Sequence, residues 1–310
     1  MTTRHDHPAM TTAPSARTGP LLAVALAAAV WGLLWLPLRL IRESGLGPGF
    51  VTLGQFAVPV VLLLPLALWR WWRARPTGAS RVVAGLLTGG AVALYSDSVL
   101  LTDVARALIL FYVAPVWSTL LEITVMGRSL SAARVLSLVL GLAGLFVILG
   151  GAGGISRPPN AGDIMALMAG LIWALGTTRV RTAPDTGTFE NVFAFFLYGS
   201  ALALLVALLP VAALGAPPSA AQMTAALPWL TLTAAGFLIP VTWGLLWGSS
   251  VIDPGRLNII LQLEAVVGIG SAALLTSEPF GGVESTGALL VGAAGLVDVL
   301  GHRPPPPVTD

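Results

Sequence analysis

Two stretches decide the fold: Asp103–Leu130, DVARALILFYVAPVWSTLLEITVMGRSL, and Asp253–Phe280, DPGRLNIILQLEAVVGIGSAALLTSEPF. Set side by side at an offset of 150 residues they align without a gap, pairing Asp103 with Asp253, Arg106 with Arg256, Ile109 with Ile259 and Val116 with Val266. Each is a polar turn followed by an apolar run of about 20 residues, the length of a helix that crosses a bilayer. The likeness continues outward. Gly141-Leu-Ala-Gly144-Leu145 matches Gly292-Ala-Ala-Gly295-Leu296 at an offset of 151, and Trp31 and Arg39 match Trp173 and Arg181 at 142. Matches kept in order along five consecutive apolar runs predict two similar halves.

Composition agrees with a chain that lives in lipid. Of 310 residues 56% are hydrophobic and 10% charged, and mean hydropathy is +0.87; soluble domains carry about 25% charged residues. The spacing predicts an all-α integral membrane protein of about ten transmembrane helices. They fall near 21–40, 50–69, 82–102, 106–126, 134–150, 163–180, 191–211, 229–248, 257–276 and 285–301. Arg17 followed by the apolar Leu21–Val30 has the look of a secretory leader. The run continues through Trp31–Leu36 without a polar cleavage region, so it reads as the first span. The domain plan is a disordered cytoplasmic N-terminus at 1–18, one five-helix repeat at 19–151, a second at 152–301, and a disordered cytoplasmic tail at 302–310 with four prolines.

All sixteen basic residues are Arg. With both termini in the cytoplasm, twelve fall inside (Arg4, Arg17, Arg70, Arg73, Arg75, Arg81, Arg128, Arg134, Arg179, Arg181, Arg256, Arg303) and four outside (Arg39, Arg42, Arg106, Arg157). That bias orients a multi-pass protein with both ends inside. Scattered between apolar runs, these Arg residues do not make a nucleic-acid surface, despite a pI near 9.7. Five is odd, so equivalent helices of the two halves cross in opposite directions. Such inverted repeats hold a solute near the midplane between the halves.

Charged groups deep in a span are costly and need a reason. Glu264 lies mid-span, with Gly268 and Ser271 on its face, and a carboxyl there can take up and release a proton. Glu122 lies nearer the cytoplasmic end of the fourth span, as a pathway acid or an interfacial ion-pair partner. Ser118 sits one turn before it, and Pro115 marks a helix kink. Asp97 reads as an outer-vestibule acid or a helix cap, and Asp298 as structural. Gln262 and Asn258 share a face roughly opposite Glu264, as solute contacts or helix-to-helix bonds. Trp31, Trp117, Trp173, Trp243 and Tyr112 offer apolar or cation–π surface to a solute, or simply pack. Gly85 and Gly89 form a close-packing GxxxG pattern.

Competing readings lack their parts. His5, His7 and His302 all lie in the tails, there is no Cys, and no metal, nucleotide-loop or paired-acid motif is present. No catalytic residue, metal or cofactor is expected. An intramembrane enzyme or a channel acting on a small or lipid-like molecule is the alternative.

At Ala107–Glu122, with its mid-helix Pro115 and the closing Gly127-Arg128-Ser-Leu-Ser131, the chain resembles the EamA-type ten-helix carriers of the drug/metabolite transporter superfamily. Asn258–Glu278, Trp31-Gly32 and Trp173-Ala174 match the same pattern over about residues 20–301. Two positions depart: Arg128 replaces the Glu usual at the close of the fourth helix, which Glu278 keeps in the ninth, and Gln55 stands where a basic residue is frequent. The resemblance implies a secondary transporter that exports or exchanges a metabolite, amino acid or drug-like solute without ATP. Its setting would be the bacterial cytoplasmic membrane. The expected partners are that solute and the lipid bilayer, with no nucleic acid, and a homodimer is open to it.

Overall fold

The computed structural model describes residues 15–73, 79–102, 104–148, 159–182, 187–208, 216–275 and 281–301. Residues 1–14, the tail 302–310, Arg157 and Glu278 lie outside the described residues. Every element among the described residues is a helix. They are α1 (Ser15–Trp31), α2 (Trp35–Glu43), α3 (Pro48–Arg73), α4 (Ala79–Leu101), α5 (Val104–Phe111), α6 (Ala114–Thr124) and α7 (Ala132–Ile148). After them come α8 (Ala161–Thr182), α9 (Thr188–Ala207), α10 (Ala220–Thr233), a π turn at Ala234–Leu238, α11 (Ile239–Val251), α12 (Pro254–Leu261), α13 (Leu263–Leu275) and α14 (Gly282–Leu300).

Ten runs emerge once the interruptions are read. Three of the four stand just before a proline, whose missing N–H leaves the carbonyl four residues back unbonded. The turn between α1 and α2 precedes Pro37, the gap between α5 and α6 precedes Pro115, and the π turn precedes Pro240. The fourth, between α12 and α13 at Gln262, has no proline. The first span is therefore not the continuous helix expected at 21–40. It also starts at Ser15, inside the stretch expected to be disordered. The eighth begins at Ala220 rather than near 229, because Ser219 and Gln222 form a reciprocal capping box.

Five runs are each long and apolar enough to cross a membrane unaided: Gly49–Arg73, Ala107–Thr124, Ala161–Thr182, Thr188–Ala207 and Ala220–Val251. The stretches Thr18–Trp31, Ala132–Val147 and Ser285–Asp298 are apolar but shorter. The outward faces carry the chemistry of lipid contact: Leu62, Leu68, Leu205, Leu274 and Leu289 are exposed, and Trp72 is 82% exposed. In water such a surface would drive aggregation.

The second half repeats the first at the offset already met in the sequence. Val104–Phe111 maps onto Pro254–Leu261 at 150 residues, and Ala132 onto Gly282. Neighbouring runs alternate in direction. Along α4 and α8, Thr88 faces Gly176 and Leu101 faces Gly162; along α1 and α11, Val24 faces Gly248 and Ala27 faces Gly244. In α7 and α14, Ser137 Oγ donates to the Ala294 carbonyl, and a Cβ on Gly144 would stand 2.7 Å from the Gly287 carbonyl oxygen. At an offset of 150 these two contacts exchange, 137 for 287 and 144 for 294. The molecule is an all-α, ten-run membrane protein of two inverted five-helix repeats. Helix α8 sits at its centre, against α4, α5, α6, α11 and α12, while α3 lies at the periphery. Helix α4 nests on α9 through Gly85 and Gly89, as the GxxxG pattern predicts.

Candidate functional site

The two broken helices, α5–α6 and α12–α13, cross antiparallel near their breaks. Pro115 has no N–H for the Phe111 carbonyl, and the helix restarts at Ala114. In the second copy Gln262 N–H bonds Ile259 and Ala265 N–H bonds Gln262, both at 3.2 Å, so the Leu261 carbonyl drops off the helical ladder. Tyr112 meets it: its hydroxyl lies 3.2 Å from the Leu261 oxygen and 2.5 Å from Glu264 Oε2. A hydroxyl carries one proton and can also accept one. With Glu264 ionised, Tyr112 donates to the carboxylate. With Glu264 protonated, the acid donates to Tyr112, which donates to Leu261. Both protonation states find a bonded arrangement at one geometry.

A third break converges here. A Cβ on Gly32 would lie 2.5 Å from the Glu264 carbonyl oxygen and 2.8 Å from Gly268 N, so only glycine lets the end of α1 seat on α13. That contact brings Trp31 to a cavity of about 40 Å³ walled by the aromatic rings of Trp31, Tyr95, Phe111, Tyr112, Trp173 and Phe195. Ala27, Ala28, Val92, Val241, Leu245 and Leu261 also line it, and among the described lining residues Glu264 is the one charged group. The Tyr95 and Phe111 rings lie 4.5 Å apart. The walls come from both halves. Space of this size holds water, whereas a drug-sized solute occupies a few hundred Å³.

On one side the cavity is floored by a buried clamp. Trp173 Nε1 donates to Asn258 Oδ1 at 2.9 Å, and Asn258 Nδ2 donates to Ser118 Oγ at 2.9 Å and to the Pro254 carbonyl at 2.8 Å. Further along lies an ion-pair cluster. Glu122 accepts from Gly255 N–H at 2.7 Å and faces Arg134 at 3.7 Å. Arg134 in turn pairs with Asp298 at 2.7 Å, which Arg256 meets at 3.1 Å. Asp253 takes Arg128 at 3.3 Å and Arg181 at 3.8 Å. These groups stand at the ends of α6, α8 and α14 and the starts of α7 and α12, all on one face. On the opposite face, among the described residues, Thr102 donates to Asp163 at 2.8 Å, and Asp163 caps Asn160 N–H at 2.7 Å.

The structure thus brings Glu264, Tyr112, Trp31 and Trp173 to one cavity and Asn258 to its floor. Glu122 and Asp298 sit in the ion-pair cluster instead. Gln262 is buried against Gly141 of α7, away from the cavity, and its Oε1 has no hydrogen-bond partner among the described residues. Asp97 is 1% exposed and also off the lining, with Oδ2 unpartnered among the described residues. Trp117 is off the lining too, and Trp243 is 40% exposed beside Phe189. Sequence reading missed Tyr95, Phe111, Phe195 and Arg134. A signal for Tyr95 existed: it lies two residues before Asp97, hence on the other side of the helix, and three after Val92.

Comparison with known proteins agrees with this architecture. The EamA-like transporter family model matches residues 18–150, the first five-helix unit. No curated protein matches the chain. A solved crystal structure superposes with a TM-score of 0.70 at 22% identity, covering 90% of this chain and 97% of that one, and shares the fold. Residues 18–150 are thus similar to the EamA-like transporter family, and the second unit repeats the helices and the midpoint break of that first one.

Proposed function

We propose that the protein is a secondary active transporter that exports or exchanges a small cationic or zwitterionic solute by alternating access. The observation that carries this reading is the cavity at the crossed breaks: one carboxyl, Glu264, among six aromatic rings, with no cation among the described lining residues. Aromatic faces and a carboxylate attract the same ligand, a desolvated positive charge. Exchange of that charge for a proton on Glu264 couples solute movement to a proton gradient, and Tyr112 supplies a bonded partner in either state. Counter-exchange of solute is the second route.

The repeats, taken as 19–151 and 152–301, rock against each other about the crossing. Arg134, Glu122, Asp298, Arg256 and Asp253 then form the gate closed in this conformation. The setting is the bacterial cytoplasmic membrane, and the Arg distribution supports both termini inside, which puts this gate on the cytoplasmic face. The test is uptake into proteoliposomes under an imposed ΔpH, with a labelled quaternary ammonium, a primary amine, an amino acid and an organic anion in parallel. A cation or zwitterion should move unaltered and the anion should not. Glu264→Gln should abolish the ΔpH dependence; wild-type rate and pH response in that variant would remove Glu264 from the coupling role.

A further inference from the structure

On the ion-pair side of the cavity four helices close a ring: α4 packs on α8 and α9, and α11 packs on both of these as well. Each also lines the cavity, through Val92, Trp173, Phe195 and Leu245. Helices α8 and α11 run toward the ion-pair face, and α4 and α9 run away from it. Four residues from each lining position, one turn toward that face, stand Thr88, Thr177, Asn191 and Ser249, all at most 2% exposed. One turn the other way α8, α9 and α11 present Ala169, Gly199 and Leu238, and a Cβ on Gly199 would stand 2.3 Å from the Phe56 ring. There α4 keeps Ser96, bonded back to the Val92 carbonyl at 2.9 Å.

The hydroxyl protons of the ring are already given away. Thr88 donates to the Ala84 carbonyl at 2.8 Å, Thr177 to the Trp173 carbonyl at 3.1 Å and Ser249 to the Leu245 carbonyl at 2.8 Å. Their oxygens keep lone pairs for a further donor. Asn191 Oδ1 has no hydrogen-bond partner among the described residues, nor has Oγ1 of the buried Thr242, three residues before Leu245 on α11. A buried acceptor left unpaired is costly and calls for an account. A turn rich in acceptors, with few protons of its own to offer, suits a guest that brings N–H groups. We infer that this ring is a second station for the transported solute, receiving its ammonium N–H groups as it leaves Glu264 toward the ion-pair face. The inference rests on the transporter reading above and narrows the cargo. A primary ammonium carries three N–H donors, whereas a quaternary one carries none.

Uptake of a labelled primary arylalkylamine and of its N-trimethyl analogue into proteoliposomes, each over a concentration series, tests this. Wild-type protein should take up the primary amine with the higher kcat/KM. Asn191→Leu should lower the primary-to-quaternary ratio about tenfold, the scale of one hydrogen bond to a charged group. An unchanged ratio in that variant, or an equal fall for both amines, overturns the station. Uptake of neither amine, beside uptake of an organic anion, overturns the cation reading itself and the station with it. Should Asn191→Leu fail to fold, Thr242→Val, which keeps the branched shape and removes the hydroxyl, decides in its place. A fall selective for the primary amine supports the ring; an equal fall, or none, overturns it.

Discussion

Tyr112 and Asn258 do different work at the same helix crossing, and substitution separates them. Tyr112→Phe keeps the ring in the cavity wall and deletes the hydroxyl that serves both Glu264 and the Leu261 carbonyl. Coupled uptake should fall about 100-fold, the low end of what a positioned proton-transfer group contributes. The melting temperature should move little. Uptake like wild type at every imposed ΔpH would take Tyr112 out of the proton route. Asn258→Leu instead strands the Trp173 indole N–H and the Ser118 hydroxyl inside the bundle. Interhelical hydrogen bonds in membranes average about 0.6 kcal/mol and reach about 1.7, so losing two should lower stability by about 1–2 kcal/mol. Thermal unfolding in detergent measures that loss; an unchanged melting temperature would mean the clamp carries no net stability.

Helices here meet through glycine, and the contact geometry says which glycines matter. A side chain at Gly144 would collide with the Gly287 carbonyl and Leu290 across the α7–α14 seam, whereas Gly292 and Gly295 of α14 face open space. Gly144→Val should therefore lower the melting temperature by several degrees, since overpacking costs about 1–3 kcal/mol. Gly292→Val or Gly295→Val should leave it unchanged or raise it slightly, because a helical glycine gives way to a better helix former. Equal effects at the seam and at the open positions would contradict the packing described. The seams also show what could be read beforehand. The repeat offset, the alternation of spans and the Pro115 break were legible, because proline and turn residues leave a mark in any background. The Gln262 break was not: no proline announces it, and in a run apolar on every side no periodicity shows where the ladder slips. The α1–α2 turn went unread for a similar reason, since Pro37 lies three residues past it. Asp97 drew attention as an acid, while its neighbour Tyr95 held the cavity position, because charge is conspicuous in a sequence and helix facing is not.

At the scale of the whole molecule the two faces differ in kind. Among the described residues four arginines and three acids tie one face together, and Thr102, Asn160 and Asp163 meet on the other. The ion-pair cluster lies on the face where the Arg bias puts the cytoplasm. The chain has no Cys, so single introduced cysteines report cleanly on both orientation and closure. With a membrane-impermeant maleimide on intact cells, Ala216→Cys should label and Ser129→Cys should label only after permeabilisation; the reverse pattern would invert the assignment. Thr119 lies inward of the cluster, 5% exposed and against Gly255. A cysteine there should react slowly from the cytoplasmic side while the cluster is intact. Arg134→Gln removes the partner shared by Glu122 and Asp298, leaving two like charges at the shut seam. That loss should favour parting of the halves and speed Thr119→Cys labelling about tenfold, equivalent to a bias of about 1.4 kcal/mol toward the open face. An unchanged labelling rate would mean that the ion pairs decorate the seam without closing it, and the closure would then rest on the Asn258 clamp alone.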